Sequence, residues 1–327
     1  MGAFASYDDY VELVRSPAKE RRSWTTDSRR WAYYKPRPDD IVIGTSAKCG
    51  TTWMQQIASL LVFQSPEPRD IQNESPWIDF RVRPIEEVTQ RIEQQTHRRF
   101  LKTHLEFDAL PVYNSVRYIH VARDGRDAFL SWYNHSRHYT PLSIDTQSAA
   151  GLADETIGKP LPLPGDSIRD FFQVWMTDGP EARLANDFPA QRYFDIEKSY
   201  WAERRRPNLL MVHHNDLLED LAGEMRRIAE FLDIRIPEEK WPALVNAASF
   251  RFMREHGATL MPRAIQGWDK GTDRFLNEGT NGRWRDVLTP DDVARYESRA
   301  RHELWPNLAR WLESGSRVVG DPRAMVD

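Results

Sequence analysis

The sequence predicts an α/β protein in which helices cover both faces of a central, mostly parallel sheet. Short apolar runs typical of buried strands alternate along the chain with longer stretches of helical periodicity. This order favours parallel strands joined by crossover helices. Of the 327 residues, 40% are hydrophobic, including 12 Trp and 14 Phe. Such a composition can build a sizeable core, and the length fits one large α/β domain.

Four runs are predicted as strands because each concentrates apolar, β-branched or aromatic residues over a few positions. They read "DIVIGT", "RRFLKTH", "VRYIHVAR" and "NLLMVHH" and span residues 40–45, 98–104, 116–123 and 208–214. Helical patterns are predicted between and after them, at residues 52–63, 85–95, 124–138, within 167–205, and at 221–232. In "LTPDD", Thr289 is predicted to cap a further helix whose first residue is Pro290.

Two segments lack a clear period and are rich in proline, glycine and small residues. They span residues 139–166 and 261–283. Long loops in compact domains are usually functional, and open α/β sheets bind ligands at the carboxyl ends of their strands. We therefore expect both segments to act as lids over a cleft at that edge of the sheet.

The bulk charge and the cysteine count narrow the class of protein. The formal net charge of −4 and the pI of about 6.2 indicate no general attraction to nucleic acid or anionic membranes. Cys49 is the only cysteine, which excludes an internal disulfide and fits a reducing, cytoplasmic setting. Early acidic residues argue against a secretory signal, and no apolar run approaches the ~18 residues of a membrane span. The opening "MGAFAS" does match the loose pattern of a myristoylation site.

The stretch "IVIGTSAKCGTTWMQQI", residues 41–57, places a loop of small residues between a predicted strand and a predicted helix. Gly50 permits close backbone approach, the helix start offers free N–H groups, and Lys48 adds a cation, so the loop can hold a phosphate. In the usual phosphate loop the lysine follows the last glycine, whereas here it precedes the glycine. An ordinary turn whose threonines only cap the helix is the alternative.

Three motifs, "SAKCGTTW", "FLKTH" and "VARDGRDAFLSWYNH", follow one another, each at the end of a predicted strand. Together, over residues 40–301, they resemble the sulfotransferases that use 3′-phosphoadenosine 5′-phosphosulfate (PAPS). The resemblance implies one P-loop-like domain across residues 1–327, with PAPS as donor, the desulfated nucleotide PAP as product, and no metal. It also implies sulfation of a hydroxyl on a small lipophilic or phenolic acceptor.

The resemblance assigns a donor site, residue by residue. The matched positions are Lys48, Cys49, Gly50, Thr51, Thr52, Trp53, Arg123, Ser131, His214, Asn277 and Gly279. Within this set, the resemblance places Lys48 at the bridging oxygen and Trp53 on the adenine. It gives Arg123 and Ser131 the 3′-phosphate, while Cys49 replaces a serine and is interpreted as a small filler. On the helix after Arg123, Arg126 and Asp127 are interpreted as a solvated ion pair.

The catalytic assignments agree with what the chemistry requires. Sulfuryl transfer needs the acceptor proton removed and charge stabilised at the oxygen being released. By the resemblance His104 is the base and Lys102 a nearby helper, while Lys48 stabilises the leaving oxygen. A reference histidine titrates near pH ~6.5 and the nearby cation Lys102 favours the neutral form of His104, so the rate is expected to rise through one acidic limb and then level. Taken alone, His104 fits a core or surface histidine equally well.

The acceptor site is predicted from aromatic and histidine residues in the segments that build this pocket in the family. These residues are Trp77, Phe80, His104, His135, Tyr139 and Trp268. Aromatic walls favour a flat or lipophilic alcohol or phenol, although each residue could instead belong to the core.

The sequence departs from the family pattern in three places. Asn277, Glu278 and Gly279 stand where the family's late donor loop usually carries Arg-Lys-Gly. An acid at this place is expected to weaken anion binding unless Arg283 or another base compensates. His214 replaces a tyrosine, and Ala248 a threonine, beside the adenine. The run "RDVLTPDDVA" departs from the usual dimer motif, which predicts a monomer or another interface.

Two other functions fit parts of the sequence. A P-loop phosphoryl transferase would require Mg²⁺ and an acid to hold it, and the order of Lys48 and Gly50 argues against that class. A non-catalytic nucleotide-binding module is suggested by Glu278, but His104 and Lys48 argue against it.

Overall fold

The computed structural model describes residues 11–177 and 189–327 and has a four-stranded parallel sheet at its centre. In sheet order, its strands are β3 (Phe100–Thr103), β2 (Ile41–Thr45), β5 (Arg117–Ala122) and β6 (Leu209–His213). A separate antiparallel pair consists of β1 (Leu13–Arg15) and β4 (Val112–Tyr113). The four predicted strands are therefore confirmed, and all their pairings are parallel.

Helices and short 3-10 turns make up most of the remaining described residues. The α-helices are α1 (Thr51–Phe63), α2 (Ile71–Glu74), α3 (Ile85–Gln94), α4 (Gly125–Arg137), α5 (Pro141–Leu152), α6 (Ile168–Trp175), α7 (Ala190–Ala202), α8 (His214–Glu219), α9 (Leu221–Phe231), α10 (Trp241–Ala247), α11 (Phe250–Glu255), α12 (Gly257–Leu260), α13 (Ala264–Gly267), α14 (Gly271–Leu276), α15 (Pro290–Glu303), α16 (Pro306–Ser314) and α17 (Ser316–Val319). The 3-10 helices are Ser28–Tyr33, Phe107–Ala109, Glu238–Lys240, Arg283–Asp286 and Pro322–Ala324. Within the described part of the chain, no helix is long and apolar enough to cross a membrane.

The two faces of the sheet pack against different groups of helices, because successive strand residues point to opposite sides. In β2, Val42 packs with buried residues of α3, α4, α6 and α7. Its neighbours Ile41 and Ile43 pack on the other face with α1, α9 and α10. All five residues of β2 are buried, as expected for a central parallel strand. Helices therefore cover both faces, which confirms the predicted fold class.

Most predicted helices are found within a residue or two of their expected ends. Helices α1, α3, α4 and α9 match the predictions, and α15 begins at a capping box formed by Thr289 and Asp292. The predicted helical region 167–205 contains α6 and α7, although its residues 178–188 lie outside the described residues. The motif "MGAFAS" also lies outside them.

The prediction that residues 139–166 form a loop is wrong over its first half, where α5 lies. The same prediction for residues 261–283 is wrong where the short helices α13 and α14 lie. Thr140 caps α5 by accepting a hydrogen bond from the backbone N–H of Ser143, and Pro141 occupies its first turn. Only Gln147 and Gly151 of the helix are buried. The helix thus has no apolar stripe, which is why periodicity did not reveal it.

Candidate active site

A cavity of about 660 Å³ opens where the carboxyl ends of the central strands meet. The residues that follow β2, β3, β5 and β6 all contribute to it, as do residues of both segments predicted as lids. Every predicted site residue except Cys49 lines this cavity. Cys49 is fully buried beside the hydrophobic core, where burial raises the pKa of its thiol, as the filler interpretation expects.

The loop between β2 and α1 is shaped to bring backbone N–H groups to the cavity. Gly50 precedes α1 with φ of 113°, and a Cβ there would lie 3.3 Å from both the His214 ring and Val121. No side chain caps the first N–H groups of α1. The Thr51 hydroxyl lies 2.6 Å from that of Thr45, so it bonds within the loop. These features fit a bound anion better than a turn that is merely capped.

A buried polar network lies beneath this loop. The Ser46 hydroxyl donates to one oxygen of Glu197 (2.6 Å), and Nε2 of His120 lies 2.8 Å from the other. Nδ1 of His120 donates to the carbonyl of Gly44 (2.9 Å). All three side chains are fully buried, so the network ties the end of β2 to α7 and holds the loop in place.

Lys48 projects from the loop into the cavity. Its Nζ donates to Nδ1 of His135 at 3.1 Å and lies 4.8 Å from the centre of the Phe275 ring. Burial, and then the charges of Arg123 and Lys102, lower its pKa to about 7. A bound anion would favour the charged form, so the charge of Lys48 depends on whether an anion is bound in the cavity.

His104 is held as a defined tautomer at the end of β3. Its Nδ1 lies 2.9 Å from the Thr45 carbonyl, which can only accept a hydrogen bond, so Nδ1 carries the proton and Nε2 has the lone pair. Arg192 donates to the His104 carbonyl at 3.1 Å. Burial, followed by the charge of Lys102, lowers the pKa of His104 to about 3. The ring is therefore neutral at pH 7. The charge of Lys102 acts in the expected direction, and burial, which the motif does not reveal, makes the larger contribution.

Lys102 and Trp77 form a wall beside His104. Nζ of Lys102 lies 4.5 Å from the centre of the Trp77 ring, and the His104 ring meets the same indole edge-on at 4.9 Å. The indole N–H donates to Asp79 at 2.7 Å, which fixes its orientation. Burial lowers the pKa of Lys102 to about 8, although the Asp79 charge opposes the shift.

Arg123 joins the ends of three segments. Its Nε donates to the side-chain oxygen of Asn281 at 2.7 Å. Its two terminal nitrogens donate to the carbonyls of Thr280 (2.9 Å) and Lys48 (3.2 Å). The guanidinium therefore links β5, the loop before α1 and the 277–283 loop. Ser131, its predicted partner, lines the same cavity from α4.

The interpretation of Arg126 and Asp127 as a solvated ion pair is wrong. Both residues are buried. Asp127 accepts the N–H of Gly282 with both oxygens, at 2.9 and 3.0 Å. Arg126 pairs with Asp124 and lies 3.9 Å from the centre of the Trp284 ring. Through these two residues, α4 holds Gly282 and Trp284 at the C-terminal end of the 277–283 loop.

Glu278, the acid that departs from the family pattern in the 277–283 loop, has a basic partner. Glu278 is exposed and pairs with Arg283, whose Nε lies 3.0 Å from its carboxylate. Arg283 lines the cavity, as do Asn277 and Gly279, whereas Glu278 does not. Gly279 has φ of 67°, and a Cβ there would lie 2.5 Å from the Phe250 ring, so this position requires glycine.

Trp53 and His214 form the predicted adenine side. The indole N–H of Trp53 donates to the Ala248 carbonyl at 2.8 Å, and the His214 ring lies edge-on to the indole at 5.3 Å. The Asn281 amide donates to Nδ1 of His214 at 3.1 Å. Burial, and then the charge of Arg123, lower the pKa of His214 well below its usual value.

The predicted acceptor residues form two aromatic groups. Trp77 and Phe80 stack at 4.5 Å. His135, Tyr139 and Trp268 are in mutual ring contact, at 4.5 to 5.6 Å. The Trp268 indole donates to the His135 carbonyl, and an isolated bridge joins Tyr139 to Trp268. The second group therefore ties the segment before α5 to that before α14.

Sequence reasoning missed several residues that position the predicted ones: Thr45, Asp79, Arg192, Glu197, Thr280 and Asn281. The sequence carried a signal only for Asn281, since "TNG" is a turn pattern in which an asparagine beside a glycine often bonds back to other segments. The others act through contacts distant in the chain.

A model of the sulfotransferase domain family matches residues 38–309. The chain is 31% identical over 309 residues to a glycolipid sulfotransferase of Mycobacterium bovis, with 90% of this chain and 94% of the relative covered. It is 23% identical over 279 residues to sulfotransferase 1C2 of Homo sapiens, with 83% and 85% covered.

Two solved structures share the fold. Retinol dehydratase, in complex with androsterone and the inactive cofactor PAP, has a TM-score of 0.64 and 22% identity, with 86% of this chain and 89% of that chain covered. Mouse sulfotransferase SULT7A1, complexed with PAP, has a TM-score of 0.63 and 16% identity, with 87% and 92% covered.

Proposed function

The chain belongs to the sulfotransferase domain family and is a sulfotransferase, and on that premise we propose that it sulfates a hydroxyl of a lipophilic or phenolic acceptor. The donor is PAPS and the transfer is direct and in line. The relatives named as glycolipid sulfotransferases support a lipophilic acceptor.

The residues at one end of the cavity suit a nucleotide that carries several negative charges. Phosphate oxygens require hydrogen-bond donors and positive charge. The uncapped N–H groups of α1 and the close backbone approach at Gly50 supply the donors, and Lys48 and Arg123 supply the charge. When bound, PAPS supplies a sulfuryl group attached to a phosphate leaving group. Lys48 then stabilises the oxygen that is released.

The observation that carries the proposal is the tautomer of His104. With its Nδ1 proton donated to the Thr45 carbonyl, the ring can accept the acceptor's proton only at Nε2. Its lowered pKa keeps that nitrogen unprotonated at neutral pH. Lys102 and Arg192 hold positive charge near the ring and so oppose its protonation before the acceptor arrives.

The experiment is incubation with labelled PAPS and a panel of phenols, aliphatic alcohols, steroids and glycolipids, read by mass spectrometry. We expect sulfated products that also form in the presence of a chelator. Binding of PAP without any sulfated product would favour a non-catalytic module. Loss of transfer on chelation would favour a metal-dependent phosphoryl-transfer type of site.

A further inference from the structure

Three of the arginines that line the cavity have no role in the proposed reaction: Arg83, Arg91 and Arg263. Arg91 belongs to α3, Arg83 lies just before that helix, and Arg263 lies just before α13. Within the described residues, none of the three forms a salt bridge. Arg263 donates to the backbone carbonyl of Gln72 at 2.8 Å, and the charge of Asp70 acts on it without a direct ion pair.

The arginines continue a row of cations that starts at the catalytic centre. The charge of Lys102 is among the causes that lower the pKa of His104, and that of Arg263 among those that lower the pKa of Lys102. Burial, and then the charge of Arg83, lower the pKa of Arg263, and Arg91 acts in the same direction, while the charge of Asp70 opposes the shift. The charges of Arg83 and Arg91 act on Arg263 but are not among those that shift the pKa of Lys102, so both arginines lie nearer Arg263 than Lys102.

The whole cavity carries an excess of positive charge in a chain whose net charge is −4. Its charged lining residues are Lys48, Arg83, Arg91, Lys102, Arg123, Arg192, Arg263 and Arg283, against Glu87 and Asp127. The donor accounts for Lys48, Arg123 and Arg283, and the surroundings of His104 for Lys102 and Arg192. No feature of the proposed reaction uses the remaining three arginines.

We propose that Arg83, Arg91 and Arg263 form a subsite for an acidic group on the acceptor, placed at the end of an apolar body opposite the hydroxyl that is sulfated. This inference rests on the proposed function. Trp77 and Phe80 stack on each other in the same cavity, with Trp77 also against His104, and suit the apolar body. Guanidinium groups bind carboxylate, phosphate or sulfate through paired, charge-assisted hydrogen bonds.

The test compares ω-hydroxyalkanoic acids of increasing chain length with the methyl ester of each. For wild type, kcat/KM should favour the acid over the ester at the chain length that spans the cavity. In Arg83→Gln/Arg91→Gln, the acid-to-ester ratio should fall about tenfold, since charge-assisted hydrogen bonds to the acid are lost. Arg69→Gln removes a nearby arginine that pairs with Glu74 outside the cavity, so it should keep the wild-type ratio. Glu87→Gln should raise the ratio.

A second readout does not depend on turnover. Calorimetric binding of the corresponding alkanoate, which has no hydroxyl, should weaken about tenfold in the double variant, while an unchanged thermal unfolding transition serves as the check of folding. The subsite would be overturned if the acid-to-ester ratio of kcat/KM were equal in wild type and the double variant, even if esters are sulfated. It would also be overturned if both proteins bound the alkanoate with the same affinity. Weakened PAP binding in a folded double variant would instead assign the arginines to the donor. If no acceptor is sulfated, the proposed function fails, and alkanoate binding still decides the subsite.

Discussion

Nδ1 of His104 lies 2.9 Å from the carbonyl oxygen of Thr45, the last residue of the neighbouring strand β2. This contact fixes the tautomer of the candidate base through the backbone that leads into the donor loop. Movement of the loop would therefore move the base, which couples the donor end of the cavity to the acceptor end.

The first prediction concerns the pH dependence of turnover. Because the pKa of His104 is lowered to about 3, its base form is present at all pH values well above that, and protonation removes activity only as pH falls toward it. With donor and acceptor saturating, kcat should be level between about pH 5 and 7. A half-maximal rate near pH ~6.5 would mean that His104 titrates normally.

The second prediction concerns Lys48, whose pKa in the free protein is about 7. Its cationic form predominates below that pH, so PAP affinity should fall as pH rises through 7, and binding should take up a proton. Lys48→Met should remove this dependence and slow transfer by roughly a hundredfold, because a charged stabiliser of the leaving oxygen is lost. Calorimetry in buffers of different ionisation enthalpy measures the proton uptake. Unchanged turnover of the variant would remove Lys48 from the mechanism.

Arg123 provides a third prediction. Arg123→Ala should weaken PAP much more than adenosine 5′-phosphosulfate, which lacks the 3′-phosphate, by about tenfold or more. Asn281→Ala should show the same selectivity to a smaller extent, because Asn281 accepts a hydrogen bond from the Arg123 guanidinium. Equal losses for both nucleotides, measured by calorimetry, would indicate a folding defect or another role for the arginine.

The fourth prediction concerns Glu278, which neutralises Arg283 at the cavity edge. Glu278→Lys should free Arg283 and add a cation, so PAP should bind more tightly, by an amount that falls with added salt. Glu230→Lys makes the same charge change on α9, away from the cavity, and serves as control. Equal affinities for the two variants would place Glu278 outside the field of the donor.

The fold was predictable where local pattern and tertiary packing agree. The central strands are buried on both faces and therefore appear as continuous apolar runs, as in β2. Helix α5 was not predicted, because its two buried residues are Gln147 and Gly151 and it therefore has no apolar periodicity to detect. Its signals were the cap at Thr140 and the proline at Pro141, which act locally.

The site was predictable as a set of residues but not as a set of contacts. Short motifs at strand ends identified Lys48, His104 and Arg123, and the cavity brings them together. Their partners lie far away in sequence: Asn281 is 158 residues from Arg123. Burial depends on the whole fold, so the pKa of His104 and the environment of Asp127 could not be obtained from the motifs.

The most direct test of His104 as the base compares wild type and His104→Ala over acceptors of increasing pKa. An easily ionised phenol is already partly charged and needs little help, whereas an aliphatic alcohol needs its proton removed during transfer. The wild-type-to-variant ratio of kcat/KM should therefore be small for an electron-poor phenol and grow steadily to a large value for an alcohol. A flat ratio across the series, in a variant that folds and binds PAP, would contradict the proposal and leave His104 as a residue that positions the acceptor.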